Sequence, residues 1–160
     1  LKILVNWSRD WQMLFNVSKC KVIHFGSRNA EADYIMEGSN LESITEERDL
    51  GILIHNSLKI EKQCMNAANA ANRMLWMIKR SFTFHEKDVI LSLYKTLVRP
   101  KLEYCIQAWR PHFKKDINLL ENVQRRATRL VQSIRDLPYE RRLEILGLTA
   151  LETIDGSEVI

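Results

Sequence analysis

The hydrophobic positions near the start of the chain follow first the period of a helix and then that of a strand. Apolar side chains recur at three- and four-residue steps at Leu4, Trp7, Trp11, Leu14 and Phe15. This spacing predicts the end of an amphipathic helix that packs both tryptophans into a core. The pattern breaks at residues 16–18, and residues 19–25 then alternate as a strand that ends at Gly26.

Two further stretches before residue 56 have the character of strands. In "DYIMEGSNLESI", short strand-like runs flank Gly38, Ser39 and Asn40, which tolerate a positive φ and predict a hairpin turn. The stretch "ERDLGILI", residues 47–54, predicts one more strand, in which Gly51 suggests a bulge or a close backbone approach. The first third of the chain is therefore predicted to be a helix with a small antiparallel sheet.

From about residue 59 the hydrophobic period becomes helical. The helix predicted over residues 59–80 buries a stripe made of Ile60, Cys64, Ala67, Ala71, Leu75 and Ile78. Its opposite side is polar and basic and consists of Lys62, Asn66, Asn69, Arg73 and Arg80, with Trp76 among them. A second helix over residues 86–98 is predicted to pack through Val89, Ile90, Leu93 and Leu97.

The last hundred residues contain further helical segments with identifiable limits. Pro100 is expected to push Arg99 out of α geometry, after which "KLEYCIQAW" resumes as a helix until Pro111, with Tyr104 and Trp109 packed inside. Pro138 and Gly147 mark the start and end of a short final helix. Between Pro111 and Pro138, a helix over residues 115–132 buries Leu120, Val123, Ala127, Leu130 and Val131. Its far side carries Lys114, Asn118, Asn122, Arg125 and Arg129, with Glu121 at the edge.

These elements predict an α+β fold in which an N-terminal helix and small antiparallel sheet precede a mostly helical lobe. We divide the chain into residues 1–56, residues 57–147 and an acidic tail, residues 148–160. A length of 160 residues suits one ordinary domain or two small packed lobes. The chain begins with Leu1 inside a predicted helix, so we expect a fragment whose true start is missing.

Composition and cysteine spacing exclude several classes of protein. No apolar run approaches the ~20 residues of a membrane helix, and no secretory signal is visible, so we expect an intracellular protein, in the nucleus or the cytoplasm. The three cysteines, Cys20, Cys64 and Cys105, form no CxxC pair, and the four histidines are scattered. This spacing argues against a disulfide framework and against a metal site.

The basic charge of the chain is concentrated in one segment. Residues 73–147 hold sixteen basic and eight acidic side chains, whereas residues 1–72 hold eight and nine. Such asymmetry is what a module facing a polyanion would show, but a solvated basic surface without a partner gives the same count.

Several long words of sequence, in this order, resemble one family. They are "WSRDWQMLFNVSKCKVIHFG", "RDLGILI", "ANRMLWMIKRSF", "LVRPKLEYCIQAW" and "LLENVQRRATRLV". Together they resemble the C-terminal part of the reverse transcriptase of non-LTR (LINE-type, jockey-like) retrotransposons, namely the end of the palm, the primer grip and the thumb. The resemblance covers about residues 1–152. The chain departs from this family at one position and in one stretch. Trp76 stands where the family usually has a small residue, and "LETIDGSEVI", residues 151–160, replaces an arginine-rich continuation.

The resemblance implies specific roles for a few residues. Asn16 and Lys19 match an Asn-x-x-Lys pattern whose lysine lies near the polymerase site, with Lys21 beside it on the strand. Leu50 and Gly51 match the primer-grip hairpin, whose backbone approaches the primer end. The catalytic carboxylates and their Mg²⁺ belong to the family's palm upstream, so the chain on its own is expected to be non-enzymatic and without a cofactor.

The resulting expectation is a non-catalytic lobe that holds the backbone of an RNA–DNA or RNA duplex. The missing palm and fingers of the parent polymerase would be its natural protein partners. The nucleic-acid contacts would come from Lys19, Lys21, Leu50, Gly51, Lys62, Arg73, Arg80, Lys114, Arg125 and Arg129. Each basic stripe is equally well explained as the solvated side of an amphipathic helix.

A second hypothesis belongs to a different class of protein. A non-catalytic retroelement remnant would expose an apolar surface around Trp7, Trp11 and Ile23. Such a surface favours self-association or binding of another protein. The sequence alone does not choose between this hypothesis, the nucleic-acid hypothesis and a product without function.

Overall fold

The chain divides after Lys59 into two compact units, each with its own secondary structure. The computed structural model describes residues 1–26, 28–83 and 85–151. The first unit contains one helix and short strands, and the second is mostly helical, which confirms the predicted α+β class. Of the predicted tail, residues 152–160 lie outside the described residues. Leu148 and Leu151 are both buried, so the core of the helical unit extends beyond residue 147.

The described residues of the first unit form one α-helix, a 3₁₀ turn and three two-stranded sheets. The helix α1 spans Lys2–Asp10, and the 3₁₀ turn spans Val17–Lys19. The strands are β1 (Lys21–Ile23), β2 (Ile35–Met36), β3 (Ser39–Asn40), β4 (Glu42–Ile44), β5 (Glu46–Asp49) and β6 (Ile52–His55). Strands β2 and β3 pair in antiparallel fashion, as do β5 and β6, whereas β1 and β4 are parallel.

The strand predicted over residues 19–25 is shorter in the structure. The amide of Lys19 donates to the Asn16 carbonyl at 3.0 Å, and the amide of Cys20 donates to the Val17 carbonyl at 3.1 Å. These bonds wind Lys19 into a 3₁₀ turn, and the strand itself is confined to residues 21–23. Local hydrogen bonding therefore overrides the alternating pattern.

The turns of the first unit differ from those that the hydrophobic pattern predicts. The turn between β2 and β3 is at Glu37 and Gly38, with φ values of 50° and 82°, because Ser39 and Asn40 already pair with Met36 and Ile35. The single strand predicted over residues 47–54 is instead the hairpin β5–β6, turned at residues 50–51. A two-residue loop with two positive φ values has the form of a type I′ turn, which matches the twist of the flanking strands.

The tryptophans of α1 are exposed and do not pack in a core, contrary to the prediction. Trp7 is 45% and Trp11 is 67% exposed, and Ser8 is the one buried residue of the helix. The helix also ends at Asp10, so the chain turns before Leu14 joins the helical face. Sheets of two to four residues offer little apolar surface, and the side chains that would pack on a larger sheet remain in water.

The second unit is built around one long helix, α2, which spans Glu61–Ser81. The remaining elements are α3 (Lys87–Leu93), a π-helical turn (Tyr94–Val98), α4 (Arg99–Glu103), α5 (Ile106–Trp109), α6 (Lys114–Thr128), a 3₁₀ turn (Gln132–Ile134) and α7 (Tyr139–Leu146). Helix α2 packs against α4, α6 and the π turn. The predicted buried stripe from Cys64 to Ile78 is confirmed, and its alanines let α6 approach closely.

The chain passes Pro100 without the predicted break. Arg99 keeps α geometry, with φ −57° and ψ −42°, and Pro100 lies in the first turn of α4, where its missing N–H costs little. The π turn immediately before it takes more residues per turn and changes which side faces the core. Ile90, Tyr94, Val98 and Leu102 are therefore buried, whereas the predicted Val89 and Leu97 are partly exposed.

The segment after α4 is interrupted instead of forming one helix to Pro111. Cys105 has a left-handed backbone, with φ 52°, and separates α4 from the four-residue α5. The indole of Trp109 is buried and donates to the Tyr104 carbonyl at 2.8 Å, so its predicted core role is confirmed. The Tyr104 side chain, also predicted to pack inside, is 54% exposed.

A buried polar network joins α6 to three other segments of the helical unit. The Gln124 amide oxygen accepts from the Tyr94 hydroxyl at 2.5 Å. The Gln124 amide nitrogen donates to the Tyr139 hydroxyl at 3.0 Å and to the Thr149 carbonyl at 2.9 Å. Burial raises the pKa of both tyrosines, so both hydroxyls keep the protons they donate.

Glu121 is buried and belongs to this network. The sequence had predicted it at the edge of the solvated face, and that prediction is wrong. One carboxylate oxygen accepts from the Tyr139 hydroxyl, and the other accepts from the Leu151 amide at 2.8 Å. These bonds compensate for the cost of burying its charge. The acid therefore ties the chain after α7 to α6.

The last helix has the predicted limits. Pro138 precedes α7, and Gly147 follows it with φ 59°. The amide of Gly147 bonds to the Glu144 carbonyl at 3.2 Å, and the amide of Leu148 bonds to the Leu143 carbonyl at 3.0 Å. This left-handed cap turns the chain so that Leu148 enters the core.

All three cysteines are free thiols, and Cys64 lies in the core of the helical unit. Burial raises the pKa of Cys64 to about 12, and the nearby Asp116 carboxylate adds to the effect. The thiol is therefore neutral at physiological pH and acts as a small apolar side chain.

Replacing Gln124 with alanine should destabilise the helical unit strongly. The substitution leaves the buried Tyr94 hydroxyl without this partner and removes the bonds to the Tyr139 hydroxyl and the partly buried Thr149 carbonyl. An unsatisfied buried group costs more than the bond contributed. We expect Gln124→Ala to lower the free energy of unfolding by about 2–4 kcal/mol in urea titrations followed by circular dichroism. The exposed Asn122→Ala on the same helix should change it by less than about 0.5 kcal/mol, and equal effects would contradict this role.

Candidate nucleic-acid interface

A basic groove lies along α2 and α6 of the helical unit and the segment that follows α6. Its volume is about 1210 Å³. The cations that line it are Arg73, Lys79, Arg126, Arg129 and Arg135. The other lining residues are Asn69, Asn72, Leu75, Trp76, Met77, His85, Leu130 and Gln132. No acidic side chain is among these described lining residues, so the groove has a positive potential that favours anions.

The close packing of α2 on α6 creates this groove. Helix α2 has neither glycine nor proline over its 21 residues, and it presents Ala67 and Ala71 to the core. At the groove itself, the Arg126 guanidinium donates to the Asn72 side-chain oxygen at 3.0 Å. This bond fixes one cation of the groove and links the two helices.

Two of the predicted nucleic-acid contacts, Arg73 on α2 and Arg129 just after α6, come together in the groove. Arg80 lies beside it, with its guanidinium 5.2 Å from the centroid of the Trp76 ring. The Arg125 guanidinium lies over the Tyr139 ring at 4.4 Å and does not line the groove. Lys62 and Lys114 are exposed outside it.

Three cations of the groove were not predicted from the sequence. Arg126 directly follows Arg125, and one residue rotates a helical side chain by about 100°, so the predicted stripe selected its neighbour. Lys79 was likewise passed over in favour of Arg80. Arg135 comes from the turn after α6, where no helical period points to a face.

Arg142 reinforces the positive potential from beneath the surface. Its side chain is buried and lies over the Tyr139 ring at 5.5 Å. Burial lowers the pKa of Arg142, and repulsion from Arg129 lowers it further. Such repulsion between neighbouring guanidinium groups is relieved when an anion binds between or beside them.

The two predicted lysines of the first unit lie at a separate depression of about 490 Å³. It is lined by Ser18, Lys19, Lys21, Ile23, Ile44, Glu47 and Arg48. The Lys21 ammonium pairs with the Glu47 carboxylate at 2.7 Å. Hydrogen bonding to Glu47 raises the pKa of Lys21, and the same bond lowers the pKa of Glu47. Lys21 is therefore engaged within the chain, and an incoming phosphate would compete with a carboxylate for it.

The other two predicted contacts, Leu50 and Gly51, form the tip of the β5–β6 hairpin. Their φ values are 45° and 85°, and the Leu50 side chain is 81% exposed. Glycine suits this geometry, whereas leucine in the left-handed region is strained. The sequence thus places an apolar side chain in water at a position where asparagine or glycine is preferred.

Nothing in the described part of the chain resembles a metal centre or a membrane span. The described residues contain no group of three or more His, Cys, Asp or Glu side chains able to hold a metal ion. Among the described helices, none combines the length and the apolar character needed to cross a membrane.

Comparison with known proteins returned no relative. No family model, no curated protein and no solved structure matches the chain.

Relieving the strain at Leu50 should stabilise the hairpin. Asparagine tolerates the left-handed region better than leucine, so we expect Leu50→Asn to stabilise the β5–β6 pairing by about 0.5–1 kcal/mol. Slower hydrogen exchange of the β5 and β6 amides would measure it. Gly51→Ala is the opposite control and should speed exchange, because alanine is strained at φ 85°. Unchanged exchange in both variants would show that the turn is not strained.

Proposed function

We propose that the helical unit binds the phosphate backbone of an RNA–DNA or RNA duplex without catalysing a reaction. The observation that carries the proposal is the groove along α2 and α6, which gathers five cations and no described acid. Counterions released from a nucleic acid by such a cluster drive binding that is independent of sequence. The asparagine amides of α2 add neutral donors of the kind that commonly contact phosphate and sugar.

The same proposal assigns the chain to the C-terminal part of a non-LTR retrotransposon reverse transcriptase. Its support is the order of the sequence words that resemble the primer grip and the thumb, together with a hairpin at residues 46–55 and a helical unit after it. In this assignment the chain acts inside the cell, in the nucleus or the cytoplasm. Lys19 would contribute near a polymerase site only when the palm and fingers are also present.

The carboxylates of this chain do not suit nucleotidyl transfer. That reaction uses two metal ions, held by aspartates, on the attacking and leaving oxygens. Asp10 lies at the end of α1 and Asp49 at the end of β5, and the sequence has no Tyr-x-Asp-Asp loop. Mg²⁺ and its chemistry would therefore belong to the complete parent enzyme.

The binding proposal predicts a steep salt dependence. We expect the purified chain to bind a labelled RNA–DNA hybrid in fluorescence anisotropy with log affinity falling linearly as log salt increases. About four neutralised phosphates would give a slope steeper than roughly −3. The triple variant Arg73→Ala, Arg126→Ala, Arg129→Ala should weaken binding by at least tenfold at low salt and reduce the slope by about 2–3.

A charge-matched control separates the groove from the net charge of the chain. Lys87, Lys95 and Lys101 are exposed on α3, the π turn and α4, and none of them lines the groove. Changing all three to alanine removes the same charge and should leave most of the affinity. Equal losses in the two triple variants, or no binding by the folded wild-type chain at low salt, would refute the groove as the binding site.

A protein-interaction module is the second candidate function, and the exposed face of α1 supports it. Apolar side chains exposed on or just after this helix are Ile3, Leu4, Trp7, Trp11, Met13 and Leu14. Several exposed apolar side chains within one short segment commonly mark a protein contact. A second copy of the same chain is the simplest partner.

Self-association through α1 would depend on protein concentration. We expect sedimentation velocity to show a dimer that dissociates on dilution, and the double variant Trp11→Ser, Leu14→Ser to remain monomeric over the same range. The paired variant Val89→Ser, Leu97→Ser changes two less exposed apolar side chains, on α3 and the π turn, and should still associate. A wild-type chain that remains monomeric at high concentration would exclude this candidate.

A further inference from the structure

Trp76 is a large aromatic side chain in the basic groove that the proposed backbone contacts do not use. The residue lies on α2 three positions after Arg73, and its side chain is 61% exposed. The Arg80 guanidinium lies 5.2 Å from the ring centroid, so a cation–π contact holds the ring in place. The indole is thus oriented while much of its surface remains in water.

Packing within the chain does not account for this tryptophan. The buried side of α2 passes through Leu75 and Ile78, which flank Trp76 in sequence but lie on the core side of the helix. Met77, which also lines the groove, is 47% exposed. Both large apolar side chains therefore remain open to solvent among cations.

We propose that this groove binds single-stranded RNA or DNA and stacks an unpaired base on the Trp76 ring. The inference rests on the proposed nucleic-acid function and adds unpaired strands to the duplexes named there. In a duplex, the faces of the bases are stacked on each other, so an exposed indole gains little from them. A single strand offers base faces and phosphates together, and a groove that combines aromatic rings with cations suits that pair of features.

The size and polarity of the groove fit an extended strand. Its volume of about 1210 Å³ exceeds the roughly 300–1,000 Å³ typical of a pocket for one drug-sized ligand. Arg73, Arg126 and Arg129 line the same groove as the ring and supply positive charge for the phosphates of a strand. Asn69, about two turns before Trp76 on the same helix face, offers an amide to the edge of a base.

The test compares a labelled twelve-nucleotide single strand with a blunt RNA–DNA hybrid of the same length, in anisotropy titrations at one salt concentration. We expect Trp76→Ala to weaken single-strand binding about 5- to 100-fold and to change hybrid binding by less than about twofold. Trp76→Phe retains a stacking surface and should recover most of the single-strand affinity. Trp11→Ala removes another exposed tryptophan, in the first unit, and should change neither.

The possible outcomes separate this inference from the function on which it rests. Binding of both ligands with no effect of Trp76→Ala would overturn the stacking site and leave the backbone proposal standing. Equal weakening of both ligands would also overturn it, since the ring would then not distinguish unpaired bases. Failure of the folded wild-type chain to bind either ligand would remove both proposals. Circular dichroism of each variant checks that the helical unit is folded.

Discussion

The amide of Gln124 is the constraint on which the helical unit depends. One side chain satisfies the hydroxyls of Tyr94 and Tyr139 and the carbonyl of Thr149, three groups from segments that are distant in sequence. The two hydroxyls are buried, and buried polar groups need a partner inside the protein. The network therefore defines how the π turn, α7 and the chain after α7 meet α6.

The groove inherits its geometry from this core. Helix α6 presents Gln124 and Val123 inward and Arg126 to the groove, and the Asn72–Arg126 bond then links α6 with α2. Because one rigid helix carries both sets of side chains, a loss of order in the core would also displace the cations. The two tyrosines thus support the groove through the core, and neither of them lines it.

The sequence predicted those features that depend on period and failed where local geometry intervenes. The buried face of α2, the limits of α7 and the core position of Trp109 follow from helical spacing, proline and a left-handed glycine. One hairpin turn was predicted a residue too late and the other was read as a continuous strand, because Glu37 and Leu50 adopt positive φ values that their residue types do not favour. Pairing of the flanking strands imposes these conformations, and the conformational preference of a single residue does not predict such pairing.

The candidate site was predictable in part for the same reason. Arg73 and Arg129 lie on polar stripes that the helical period predicts. Arg126 lines the groove because of the rotation of α6 about its axis, and Arg135 lines it because of the turn after α6. The helical period placed Glu121 at the edge of the solvated face. Its burial depends on a tyrosine 18 residues away and a backbone amide 30 residues away, which no local pattern contains.

The π turn at Tyr94–Val98 has the form of a single-residue insertion into an α-helix. An insertion in a regular helix would rotate everything downstream by about 100° and turn Leu102 out of the core. Here the wider turn absorbs the extra residue, and Ile90 and Leu102 remain on one side. The helix can thus have gained length during evolution without moving its neighbours. Removing one residue of the turn would restore α geometry and leave Ile90 and Leu102 on the same side.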